Sequence, residues 1–269
     1  MDRFKAGIIQ FDVRLGQIDA NVESVVTGIS ELAEAGADIA VLPEMWSCGF
    51  DHENLKAHVA RTPEILALLG RLARENRMVI AGSLPAMNGQ AVTNTLYLID
   101  SDGTLRSGYS KIHLFSPGSE HLHFAAGDKT AVCDLELGKT GLMTCYDIRF
   151  PELGRNLALQ GAEILIVSAQ WPLSREAHWD VLLKARAIEN QVFVLAANRC
   201  GNDPHQAYAG HSMILSPWGE VLGMAERAEC LVTSELTMAD VARARDAIPC
   251  FADRKPAVYA DKMKDVIHD

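Results

Sequence analysis

The sequence predicts an α/β protein whose sheets are covered by helices. Three observations lead there. Segments with helical spacing alternate with short apolar runs in the first part of the chain and again after Cys145. The runs themselves read as strands buried within covered sheets. Hairpin signals fall between the alternating units, so the sheets are mixed and not purely parallel. No linker, low-complexity tract or short repeat interrupts the 269 residues, and a single domain over 1–269 is expected.

The elements follow in order. FKAGIIQFD (4–12) reads as the first strand. VESVVTGISELAEAG (22–36) has helical spacing, and Gly36 suits a helix end. DIAVLPE (38–44) is a short buried strand stopped by Pro43. PEILALLGRLARENR (63–77) is helical, and MVIAGS (78–83) is a strand. NTLYLID (94–100) and the segment around YSKIHLF (109–115) read as strands joined by the turn SDG. AVCDLELGKTGLMTC (131–145) is a hairpin around Gly138. PELGRNLALQGA (151–162) is helical, with Pro151 in the first turn where its missing N–H costs nothing. EILIVSA (163–169), the helix SREAHWDVLLKARAIENQ (174–191) and VFVLAAN (192–198) come next. HSMILSPWGEVLG (211–223) is a hairpin turning at PWGE, ECLVTSEL (229–236) a strand, and MADVARARD (238–246) a short helix. The periodicity breaks at about Ile248, where a C-terminal extension begins. Crossing to a partner subunit and lying on the surface are both open to it.

Composition bounds the function. The net charge is -10, from 25 basic and 35 acidic residues, which argues against nucleic acid and anionic membrane as partners. No signal peptide is expected from the start, MDRFKAGIIQFDV, and no apolar run approaches a membrane span. Cys48, Cys133, Cys145, Cys200, Cys230 and Cys250 are scattered without a framework pattern, so free thiols in a cytoplasmic protein are expected.

The stretch GLMTCYDIRFPE (141–152) carries the first chemical signal. An apolar strand ends on a thiol and passes straight into aromatic, acidic and basic side chains. Two other strand ends carry Glu44 and Lys111, and ligands of α/β sheets gather beyond such ends. A neutral thiol is a poor nucleophile; a nearby cation favours its thiolate, and a carboxylate can take its proton. A lysine and the backbone N–H of Tyr146 could stabilise charge on a carbonyl oxygen. The carboxylic acid could then protonate a leaving amine and activate water. Asp147 and Arg149 are expected to brace the corner behind Cys145 through buried pairing.

With these residues the chain resembles the nitrilase superfamily, the carbon–nitrogen hydrolases. Its Glu–Lys–Cys triad matches Glu44 in LPEMW, Lys111 in YSKIHLF and Cys145 in GLMTCYDIRFPE, and the likeness runs from GIIQFD to SPWGEVL. The resemblance implies a four-layer α-β-β-α sandwich with mixed sheets, paired as a homodimer. It implies that Glu120, four residues before Phe124, supports the lysine or the substrate amide. QWP (170–172), AHWDVLLKARAIENQ and NRCGND (198–203) are similar to the omega-amidase branch, which hydrolyses the terminal amide of short dicarboxylic acid monoamides such as 2-oxoglutaramate. On that likeness Trp171 would face the pocket and Arg199 would pair the substrate carboxylate. The alternatives are another amidase of the superfamily, acting on deaminated glutathione or a carbamoyl amine, a nitrilase, or a non-catalytic binding homologue.

No cofactor is expected. GKTG at Gly138 would need glycine at position 133 to form a phosphate loop, and Cys133 stands there. His121 and His123 lack a third ligand at metal-binding spacing.

Overall fold

The computed structural model describes residues 1–260. Two six-stranded sheets pack face to face. The first runs β12 (Cys230–Thr237), β1 (Arg3–Gln10), β2 (Ile39–Val41), β3 (Val79–Asn88), β4 (Ala91–Ile99), β5 (Leu105–Ser110). The second runs β11 (Val221–Met224), β10 (Met213–Leu215), β9 (Phe193–Asn198), β8 (Ile164–Ala169), β7 (Gly138–Thr144), β6 (Val132–Leu135). In each sheet three central strands are parallel and the flanking strands antiparallel, the mixed arrangement expected.

Strand alternation builds the layers. Ala6 and Ile8 of β1, Ile39 and Val41 of β2, and Val79 and Ala81 of β3 point toward the second sheet. Ile9, Ala40 and Ile80, one residue out of step, pack under α1 (Ile18–Glu34) and α2 (Leu55–Asn76). Helices α3 (Pro151–Leu159) and α4 (Glu176–Asn190) cover the far face of the second sheet, with Leu157, Trp179, Leu183 and Ala187 buried there. The result is the four-layer α-β-β-α sandwich. Helix α5 (Ala239–Ala247) follows β12, and α6 (Pro256–Ala260) lies in the C-terminal extension.

Three boundaries differ from the sequence reading. Helix α2 begins at Leu55 and runs through Pro63. One missing N–H removes a single helical bond, and buried Val59, Ile65 and Leu69 hold the helix against the sheet across it. Strands β3 and β4 form a longer hairpin through Gly89, which adopts φ 62. Strand β5 stops at Ser110, so IHLF is not strand; Lys111 is the first residue beyond it.

Candidate active site

The parallel strands deliver the site. Glu44 follows β2, Cys145 follows β7, Gln170 follows β8 and Arg199 follows β9, all at carboxyl ends. Lys111 follows β5, and Asn94 comes from the middle of β4. The two sheets are tied where these ends meet. The Glu44 N–H donates to the Ala169 carbonyl at 3.3 Å. The Ser168 hydroxyl donates to the Leu42 carbonyl at 2.8 Å. The Gln170 side-chain amide donates to the Glu44 carbonyl at 2.7 Å.

Lys111 is enclosed between two carboxylates. Its Nζ donates to Glu44 Oε1 at 2.8 Å and to Glu120 Oε2 at 2.7 Å, and the lysine is only 1 % exposed. Asn94 Nδ2 bridges the same pair, at 2.7 Å from Glu44 Oε1 and 3.3 Å from Glu120 Oε1. The Gln170 N–H donates to Glu44 Oε2 at 2.9 Å, and the Phe115 N–H to Glu120 Oε2 at 2.7 Å. Each carboxylate is therefore held through both oxygens. Burial pushes the Glu44 carboxyl above its ordinary value; Lys111 opposes this and Glu120 reinforces it. Burial alone would lower the Lys111 ammonium, but Glu44, Glu120 and the Cys145 sulfur together hold it well above its usual value.

Cys145 stands at the strand-to-turn corner with φ 45, a left-handed conformation that costs a non-glycine residue about 1–2 kcal/mol. Asp147, fully buried, holds the corner. Its Oδ2 accepts the Thr144 N–H at 2.8 Å and the Tyr109 hydroxyl at 2.6 Å, while Oδ1 accepts the His113 N–H at 3.1 Å. The bracing expected of Asp147 is thus in place. That expected of Arg149 is not: its guanidinium has no carboxylate partner among the described residues. It lies 4.6 Å over the Trp171 ring and 3.3 Å from His178 Nδ1. The thiol itself is pushed well above its ordinary value, first by burial and then by Glu44, with Lys111 pulling the other way. The lysine therefore does not outweigh burial and Glu44 at the sulfur.

Glu44, Lys111, Glu120 and Cys145 line a cavity of about 420 Å³. Being buried, they form its floor. Trp171, Arg149 and Arg175 line it too, and the two half-buried arginines stand nearer the mouth. Trp171 thus occupies the wall where it was expected. Arg199 does not. It is 0 % exposed, with its guanidinium bonded to Asp12 at 3.0 Å, to Asp203 at 3.3 Å and to Gln170 Oε1 at 3.0 Å, and 4.1 Å over the Tyr208 ring. A guanidinium fully buried behind the wall and already paired with two carboxylates is not presented to a substrate carboxylate in the cavity. The residues the sequence reading missed are Asn94, Gln170 and Arg175. Nothing in QWP or VTNTLYL marks the polar side chain that a neighbouring strand end will meet. His123 stacks on His52 at 3.9 Å, and among the described residues no three His, Cys, Asp or Glu gather as a metal cluster.

A buried Glu–Lys–Cys cluster at the strand ends of two facing mixed sheets defines an amide-hydrolysing enzyme class. The chain belongs to the carbon-nitrogen hydrolase family, whose model matches residues 5–246. It is 38% identical over 255 residues to a protein of Bacillus subtilis (strain 168) described as 2-oxoglutaramate amidase, covering 93% of this chain and 97% of that one. It is 33% identical over 275 residues to the Homo sapiens omega-amidase NIT2, covering 98% and 99%. Among solved structures, the C. elegans NitFhit protein superposes with a TM-score of 0.89 at 30% identity; the match spans 96% of this chain and 66% of that longer one.

Proposed function

We propose that the protein hydrolyses the terminal amide of a short dicarboxylic acid monoamide, with a thioester on Cys145 as intermediate. The carrying observation is one cavity that joins the buried Cys145–Glu44–Lys111–Glu120 floor to two guanidinium groups without carboxylate partners. The relatives described as 2-oxoglutaramate amidase and omega-amidase support the reading.

Glu44 takes the thiol proton as Sγ attacks the amide carbon. The oxyanion formed meets the Lys111 ammonium and the Tyr146 N–H. Glu44, now acidic, protonates the nitrogen; the C–N bond breaks and ammonia leaves. Water, deprotonated by Glu44, attacks the thioester, the C–S bond breaks, and the proton returns to sulfur. Glu120 and Asn94 keep Lys111 and Glu44 in register throughout. Arg149, stacked on Trp171, receives the far carboxylate in the role first expected of Arg199. No step requires a cofactor.

The chain also acts as a homodimer in this reading, since Leu159, Val181 and Ile188 expose apolar side chains on the outer layer of α3 and α4. Its free thiols suit a cytoplasmic setting. Among the described residues no helix is long and apolar enough to cross a membrane.

The test is ammonia release from 2-oxoglutaramate, its carboxyl ester, a carbamoyl amine and a matching nitrile, with the mass in solution measured alongside. Hydrolysis of the free acid well above its ester is expected. Preferred turnover of the nitrile or the carbamoyl amine would assign the protein to another branch, and a monomeric mass would remove the pairing.

A further inference from the structure

We propose that Arg175 is a specificity-determining residue that reads the carbon next to the substrate's far carboxylate, selecting 2-oxo acids and rejecting their 2-ammonio counterparts. This rests on the function proposed above. Arg175 ends the loop after β8, and its carbonyl accepts the Trp171 indole N–H at 2.7 Å. Its guanidinium lies 5.3 Å over the Phe115 ring, as that of Arg149 lies over Trp171. Stacking on a ring restrains each guanidinium before any ligand arrives.

Both arginines line the catalytic cavity, and among the described residues neither forms an ion pair. The carboxylates of the same cavity are already engaged. Lys111 holds Glu44 and Glu120, and Arg199 with the Tyr208 hydroxyl holds Asp203. Burial, with Arg175 as a like charge, lowers the Arg149 guanidinium from its ordinary value. Two neighbouring cations with no carboxylate partner among the described residues are placed to accept electron density from a ligand.

One carboxylate satisfies the fork of one arginine. A carbonyl on the adjacent carbon places a further acceptor beside that carboxylate, and Arg175 is the donor placed to meet it. An ammonium group there would bring donors only, and a third positive charge, against two guanidinium groups with no free carboxylate to receive it. A substrate lacking any substituent at that carbon forgoes one charge-assisted hydrogen bond without repulsion.

The experiment compares kcat/KM for 2-oxoglutaramate, glutaramate and glutamine in the unaltered enzyme and in Arg175→Met, Arg175→Lys and Arg149→Met. The unaltered enzyme is expected to prefer 2-oxoglutaramate to glutaramate by about tenfold and to glutamine by about a thousandfold or more. Arg175→Met should cut the first ratio to about two, through KM more than kcat, with Arg175→Lys between the two. Arg149→Met should weaken 2-oxoglutaramate and glutaramate alike. An unchanged ratio in Arg175→Met, or glutamine turned over as well as the oxo acid, overturns the assignment even while glutaramate is hydrolysed. Failure to hydrolyse any of the three amides overturns the proposed function with it.

Discussion

At the scale of single residues, the proposed proton transfer rests on Glu44. Removing its charge with Glu44→Gln keeps the shape but leaves no base, and should lower kcat by about a hundredfold or more. Cys145→Ala should fold and lose turnover by at least about a thousandfold, with no acyl adduct seen by mass spectrometry. An adduct on Cys48 or Cys200 instead would reassign the nucleophile. The pH profile follows from the burial of Glu44. Its carboxyl is raised, and the carboxylate form must accept the thiol proton, so activity is lost as pH falls through that raised value. The acid limb of kcat/KM should therefore lie above the ordinary glutamate value of about 4.3. Lys111 is raised as well, so it stays charged as pH rises and brings no alkaline loss in the weakly basic range. Rates measured between about pH 4 and 10 check both limbs.

At the scale of elements, two polar clamps shape the site. The turn after β7 keeps Cys145 in its left-handed conformation because Asp147 accepts from Thr144, Tyr109 and His113. Asp147→Asn puts an amide where donors converge. A loss of about 2 kcal/mol in stability and a fall in kcat are expected, read by thermal unfolding and steady-state rates. The second clamp is Arg199, which joins β9 to Asp203 in the loop carrying Tyr208 and to Gln170 beside Glu44. Arg199→Met removes the charged partner of the buried Asp203 carboxylate, which keeps the Tyr208 hydroxyl and the His205 and Gln206 N–H donors, and should cost about 1–3 kcal/mol. It should leave the preference for free acid over ester intact, because the guanidinium is fully buried behind the cavity wall and already paired with Asp12 and Asp203. A lost preference would return Arg199 to the substrate.

At the scale of the whole molecule, the site exists only where two sheets meet. Glu44 and Cys145 belong to different sheets, joined through Ser168, Gln170 and a shared apolar core. The two sheets are therefore expected to unfold in one thermal transition, as a single domain. Ile166→Ala, at the centre of β8 and fully buried, should lower stability by about 2–5 kcal/mol and leave the transition single. Two separate transitions would divide the chain into independent units. Exhaustive chelation should leave activity unchanged, since the proposed nucleophile, proton carrier and oxyanion donors are all side chains or backbone of this chain. Loss of activity restored by added zinc would contradict that.

The alternating layers, and the gathering of Glu44, Lys111 and Cys145 at strand ends, were legible from local sequence. Near-continuous apolar runs in GIIQF and IAV, helical spacing in SVVTGISEL, and polar residues ending three strand segments are local signals that survive folding. Glu120 was readable from its likeness to a motif, and Asp147 from its place beside the thiol. Which charges are spent and which remain available depends on contacts between distant segments. Arg149 and Arg199 are both arginines just beyond strand ends, and no local pattern separates them. Asp12, far away in sequence, takes the Arg199 guanidinium, whereas among the described residues no acid pairs with Arg149. Helix α2 passed through Pro63 for the same reason: long-range burial of Val59 and Ile65 outweighs a local breaker. Pairing between distant charges and packing across layers are set by which strands become neighbours, and that order is a property of the assembled sheets.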